Sequence, residues 1–189
     1  MPRIAQKPLA KLSAEHRNAL QAALDSGRVH DPCMILTYAH SERLLKQVIA
    51  ALPTFPHMGF DATFGADFCE LLRLRSAQLA GCDSCQQARY EDSSEELLCK
   101  IAEPSLLPER ESLALRFLTM MHLDYRAIDE AFFCEMAKVF SASEIIELGV
   151  MVSQMVGGHR LLSVLDMYGT NAPVVAPGAT RATEGNDGR

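Results

Sequence analysis

Apolar positions recur at helical spacing along almost the whole chain, and strand-like alternation is hard to find. "SAEHRNALQAALDSG" opens on Ser13, an N-cap residue type, and closes on Gly27, a C-cap type. "DPCMILTYA" offers Asp31 as cap and Pro32 at the first helical position. "SERLLKQVIAAL" puts Leu44, Leu45, Val48, Ile49 and Leu52 on one face. Residues 53–67 carry two prolines and two glycines and read as a loop with one short turn. "FCELLRLRSAQLA" is helical up to Gly81, and a new helix is predicted from about Cys82 to Tyr90.

The second half is more regular. "SSEELLCKIAE" offers a capping box from Ser93 to Glu96, and "PERESLALRFLTMMH" has Pro108 at the helix start, with Leu113, Phe117 and Met120 in phase. "AIDEAFFCEMAKVF" should bury Ile128, Phe132, Met136 and Val139. The last helix starts at a Ser141–Glu144 capping box and runs to about Gly169, with Gly157-Gly158 marking a kink or a close helix contact. From residue 170 the periodicity stops, which predicts a flexible tail over 170–189. The pattern predicts an all-α fold: one compact domain of about eight helices over residues 1–169.

Composition narrows the class. Of 189 residues, 48% are hydrophobic and 22% charged, ordinary for a globular protein. A net charge of -6 without a basic stripe argues against nucleic acid as a partner. The longest apolar stretch, "LGVMVSQMVGG", is about half the ~20 residues of a membrane span, and no apolar run at the start resembles a signal peptide. The expected location is therefore cytoplasmic, where thiols are mostly kept reduced.

"GCDSCQQAR" places Cys82 and Cys85 just past Gly81. At a helix start, free N–H groups and the helix dipole favour a thiolate, and a second sulfur within a turn can capture the oxidised first one. Redox chemistry is one reading. Half a zinc site is another, though no second Cys-x-x-Cys or His-x(3–5)-His completes it. Two small apolar residues at a packing site is the third. Cys33, Cys69, Cys99 and Cys134 lie inside helical patterns and read as packing. No metal or cofactor is expected.

Glu70 stands twelve residues before Cys82. If the helices on either side of Gly81 fold back on each other, Glu70 comes near Cys85 and Arg89, where a carboxylate could accept a thiol proton. Alone, it reads as a favourable acid in a first helical turn.

These residues carry a resemblance. "ELLRLRSAQLAGCDSCQQARY" resembles the alkylhydroperoxidase D-like branch of the carboxymuconolactone decarboxylase superfamily, whose pattern is Glu, eleven residues, Cys-x-x-Cys, three residues, His. Glu70, Cys82 and Cys85 match in type and spacing, and the helices of the second half follow the family's order, so that the resemblance covers about residues 35–168. It implies a helical fold that forms symmetric trimers or hexamers. It implies hydroperoxide reduction through a Cys82–Cys85 dithiol–disulfide cycle, with Cys85 as peroxidatic thiol, Cys82 as the more exposed resolving thiol, Glu70 heading a proton relay, and a protein or small dithiol as reductant. Two family histidines are replaced, by Arg89 and Ser84.

Arginine cannot act as a base near neutral pH. Two consequences are open: Arg89 lowers a thiol pKa by its charge, or Arg89 pairs with Glu70 and ties up the carboxylate. His159, in "GGHRLL", is the better stand-in for the missing base, ahead of His122; each also reads as a core or helix-end residue, and Tyr90 reads as packing. Three functions compete: a thiol peroxidase, a non-catalytic or redox-sensing helical oligomer that binds a partner, and a lactone decarboxylase, which the cysteine pair argues against.

Overall fold

A computed structural model describes residues 2–167; the tail and the side chains of residues 84 and 104 lie outside this description. The described chain has no strand. Its helices are α1 (Ala14–Asp25), α2 (Cys33–Tyr38), α3 (Glu42–Ala51), α4 (Asp61–Phe64), α5 (Ala66–Leu79), α6 (Asp83–Gln87), α7 (Ser94–Ala102), α8 (Glu109–Leu123), α9 (Glu130–Val139) and α10 (Ala142–Leu165). The all-α reading is observed. The expected count of about eight helices falls short, because the Pro/Gly-rich stretch before α5 itself holds a 3-10 turn and α4.

Local signals set most boundaries. Ser13, Ser41 and Asp129 accept from backbone N–H groups three residues on, satisfying donors the helix leaves open. Asp31 Oδ1 accepts from Cys33 N at 2.8 Å, so Asp31 caps as expected while Pro32 stands just outside α2. The Ser141–Glu144 box forms in both directions and starts α10.

Three expectations are corrected. The Ser93–Glu96 box does not form: the Ser93 hydroxyl turns to Asp67 instead. Ile128 and Val139 are only partly buried, leaving Phe132 and Met136 as the buried residues of α9. Gly157-Gly158 neither breaks α10 nor marks a close contact, since nothing described lies within 4 Å of a side chain built at either glycine.

Two hydrophobic clusters build the molecule. α1, α2 and α3 close over Leu20, Ile35, Ala39 and Leu45. The larger cluster joins α5 with α7, α8, α9 and α10. α5 is its centre: Leu71, Leu72 and Leu74 are at most 1% exposed, on neighbouring faces of one helix. A helix covered on nearly all sides is a core helix, and truncating such a leucine to Ala costs about 2–5 kcal/mol.

α10 is the one described helix long and apolar enough, by length and composition, to cross a membrane. It packs Leu148, Met151, Val152 and Val156 into the larger cluster and leaves its opposite face outside. α10 is thus longer than its apolar stretch "LGVMVSQMVGG".

A third, small cluster lies at the cysteine pair. Cys82 packs with Leu162 and Met167 of the α10 end, and Met34 of α2 and the partly buried Cys85 join them.

Candidate redox site

α5 ends in a Schellman motif. Cys82 N donates to Ala77 O at 3.0 Å, Gly81 N donates to Gln78 O at 3.1 Å, and Gly81 has φ +62°. A left-handed residue is needed there, which is why the cysteine pair follows a glycine. The reversal sends the chain back along α5, as the fold-back reading expected. α6, however, spans only Asp83–Gln87, with Cys82 just before it, and residues 88–90 return without helix. A single turn carries little dipole, so the helix-start argument for a low thiol pKa loses most of its force.

Cys82 and Cys85 are joined as a disulfide with Cα atoms 5.3 Å apart. Cys82 is 5% exposed and Cys85 more so, the reverse of the order the resemblance implied. Leu162 and Met167 cover Cys82, while Cys85 sits on the returning turn. Cys69 and Cys33 are buried, as expected of packing residues, but Cys99 and Cys134 are exposed and the packing reading fails for them. Burial, with the charges of Asp61, Glu91 and Glu70, pushes the Cys69 thiol up to about 12, so it is inert as a nucleophile.

Glu70 is fully buried in the wall facing the returning chain. Its oxygens accept from Arg73 Nε at 2.6 Å, Arg73 Nη2 at 2.8 Å, Ser94 Oγ at 2.8 Å and Tyr90 N at 3.4 Å. Burial alone would raise its pKa, but the Arg73 guanidinium, the Ser94 hydroxyl and the Tyr90 N–H outweigh it and hold the carboxyl below its usual range. A carboxylate so occupied is an anchor and a poor proton acceptor.

The anchor is for Arg73. Beyond Glu70, its Nη1 donates to Cys85 O at 2.6 Å and its Nη2 to Ala88 O at 2.7 Å, and the guanidinium lies 5.0 Å from the Tyr90 ring. Tyr90 is packing, as expected: its ring also meets His30 and Phe55. The sequence reading missed Arg73. The signal was an acid and an arginine three residues apart inside an otherwise apolar helix stretch, "ELLRL".

Arg89 does not pair with Glu70. Its Nε binds Glu95 Oε1 at 2.6 Å and its Nη1 caps the Gln86 carbonyl, so both open consequences of the replacement lose ground. Arg73 already occupies Glu70, and α6 ends before Arg89, so the two cysteines and Arg89 share no helix face. The Ser84 side chain falls outside the described ones.

His159 of α10 is buried, and so is His122 of α8. Both bind one hydroxyl: His159 Nδ1 and His122 Nε2 each lie 2.8 Å from Ser76 Oγ of α5. Burial first, then the charges of Arg73 and His122, takes His159 down to about 3; burial with Arg160 and Arg75 also lowers His122. Both imidazoles are neutral near pH 7. Glu70, Arg73 and Ser76 stand three residues apart along α5 and form one buried polar stripe.

Among the described residues, no three His, Cys, Asp or Glu side chains come together as a metal would require. Two surface grooves run along α8, one beside Glu109, Leu113 and Glu135, the other beside Arg75, Ile101 and Met120; neither is lined by the cysteine pair. No family model, curated protein or solved structure matches this chain.

Proposed function

We propose that this chain is a thiol oxidoreductase of the alkylhydroperoxidase D-like type, which reduces hydroperoxides through a Cys82–Cys85 cycle. The observation that carries the reading is the cysteine pair itself: two sulfurs within bonding distance at the end of a core helix, tethered through Arg73 to the glutamate of the Glu–x11–Cys–x–x–Cys pattern. In the cycle one thiolate attacks a hydroperoxide, releasing alcohol and leaving a sulfenic acid; the second thiol displaces water and forms the disulfide. A protein or small dithiol then restores the pair by exchange. The greater exposure of Cys85 suits it to meet the peroxide first. Self-association and a cytoplasmic setting, where such a reductant is at hand, belong to the same proposal.

The alternative is a redox-sensing or non-catalytic helical oligomer. Arg89 favours it, since it puts a surface ion pair where the resembling family has a histidine.

Adding slightly more than one equivalent of hydroperoxide to the reduced protein, then trapping thiols by alkylation for mass spectrometry, separates the two. A Cys82–Cys85 disulfide within seconds to minutes, reversed by a dithiol and repeated over many equivalents, supports the peroxidase. One oxidation without turnover supports the sensor. Thiols that stay alkylatable for hours overturn both redox readings.

A further inference from the structure

The Ser76 hydroxyl is fully buried between two buried imidazoles on different helices. A hydroxyl has one proton, so it donates to one ring and accepts from the other. One ring therefore presents an N–H to Ser76 and the other a bare nitrogen. Two arrangements satisfy this, and they differ by moving every proton along the chain by one step. In the first, His159 gives Nδ1–H to Ser76, Ser76 gives its proton to His122 Nε2, and the outer nitrogen of His159 is bare. In the second, all of these are reversed.

The His159 end of the row stands one helical turn from a residue that touches the cysteine pair. Leu162, one turn after His159 on α10, packs on Cys82, and Ser163 Oγ donates to Ala80 O at 3.0 Å where α5 ends. His122 sits in the last turn of α8, beside the exposed Leu123. The charged groups facing the row are Arg73 toward His159, and Arg75 and Arg160 toward His122. All are cations, and with burial, the larger cause, they keep an extra proton off either ring at rest. That suits a conduit and rules out a store.

We infer that His159, Ser76 and His122 form a proton relay serving the thiol pair, passing the thiol's proton outward and returning one to the leaving group. The inference rests on the redox reading of Cys82 and Cys85. In the outward step, water at the partly buried Cys85 carries the thiol proton to His159 Nε2. The Nδ1 proton passes to Ser76, the Ser76 proton to His122 Nε2, and His122 Nδ1 releases its own. The thiolate then attacks the hydroperoxide: an S–O bond forms, the O–O bond breaks, and sulfur is oxidised while the peroxide oxygen is reduced to alkoxide. The alkoxide takes the proton on His159 Nε2, Ser76 and His122 each pass one proton back along the row, His122 Nδ1 takes one from solvent, and the row returns to its first arrangement. The second thiol attacks the sulfenic sulfur, and its proton leaves in water with the sulfenic oxygen. Two thiols and one hydroperoxide give a disulfide, an alcohol and water.

The test compares the full-length chain with Ser76→Ala and Ser76→Thr, with folding checked by circular dichroism. Two rates are followed: oxidation of the reduced pair by tert-butyl hydroperoxide, and reduction of the disulfide by dithiothreitol, in which a leaving thiolate must also regain a proton. Ser76→Ala should slow both at least tenfold, and Ser76→Thr, which keeps the hydroxyl, should restore both to within about threefold. His122→Gln should slow them as Ser76→Ala does. If Ser76→Ala matches the parent in both rates, or Thr fails to restore a folded variant, the relay is overturned. If the parent is not oxidised by the hydroperoxide, the peroxidase reading fails by itself, and the dithiothreitol rates still decide the relay.

Discussion

Arg73 and Cys85 are twelve residues apart in sequence and joined by a 2.6 Å hydrogen bond, from the buried guanidinium of one to the backbone carbonyl of the other. The segment that carries the cysteines is thereby fixed to the core through a charge, and that charge is neutralised by Glu70 on the same helix.

Removing that guanidinium strands a buried carboxylate. Arg73→Met should lower the unfolding free energy by about 3–5 kcal/mol, the usual cost of breaking one half of a buried pair. Arg73→Lys should fall between the two, because an ammonium cannot span Glu70 and two carbonyls as the planar fork does. Urea unfolding of the three proteins checks this; a loss under about 1 kcal/mol in Arg73→Met would mean that the pair is not a structural anchor.

His159 makes stability depend on pH. Its pKa is about 3 in the folded chain, against about 6.5 unfolded. The unfolded state therefore binds more protons between these values, so the contribution is fully present above about pH 6.5 and is lost as the pH falls toward 3. Between pH 6.5 and 5 the loss should approach about 2 kcal/mol, at 1.36 kcal/mol per pH unit. His159→Gln should flatten that slope, leaving the smaller share due to His122. Urea midpoints at pH 7, 6 and 5 for both proteins give the comparison, and equal slopes would show that the ring is not held neutral by burial.

Periodicity reported helices because it reports burial. α8, α9 and α10 each have a core face; α8, α9 and the start of α10 fell close to the expected bounds, while α10 stops at Leu165, short of the expected Gly169, which lies outside the described residues. α5 hides its role from the same analysis: with neighbours on nearly all sides, its polar residues look like interruptions of an apolar face, though they are the buried stripe of the site. Cys82, Cys85 and Glu70 were legible because their spacing is local and chemically marked. The role of Ser76 and the pairing of His122 with His159 were not, because α8 and α10 reach α5 only through the tertiary packing; Arg73 left only the local Glu70–Arg73 spacing, since its two carbonyl partners come from the returning chain. Arg89 was misassigned for a related reason: the helix it was placed on stops at Gln87.

Arg89 should prove replaceable. Its partner Glu95 is mostly exposed, and such pairs contribute about 0–1 kcal/mol. Arg89→Ala should therefore leave the urea midpoint nearly unchanged and the rate of Cys82–Cys85 oxidation within about threefold of the parent. Arg89→His tests the resembling family's arrangement directly. A gain of tenfold or more in oxidation rate would show that the position still reaches the thiols and that the histidine is what the chain lacks. No gain would agree with the outward course of the side chain toward Glu95.

The outer face of α10 bears on self-association. Ile146, Val150, Leu161 and Val164 are 69%, 47%, 43% and 58% exposed, and they follow one stripe with Ser153 and Gly157 between them. Side chains added at Gly149 or Gly157 would meet nothing described, so the stripe is open along its length. A helix that buries one apolar face in its own core and shows another to solvent is a common mark of an interface, and a symmetric oligomer would cover the stripe on every subunit. Light scattering at micromolar concentration should give a mass of several subunits. The double variant Ile146→Lys/Val150→Lys, which puts like charges on facing copies, should give the mass of one. The substituted side chains already lie in solvent, so the variant should keep the helical circular dichroism of the parent. A parent with the mass of one subunit would remove the oligomer from the proposal; an assembled double variant would move the interface to another face.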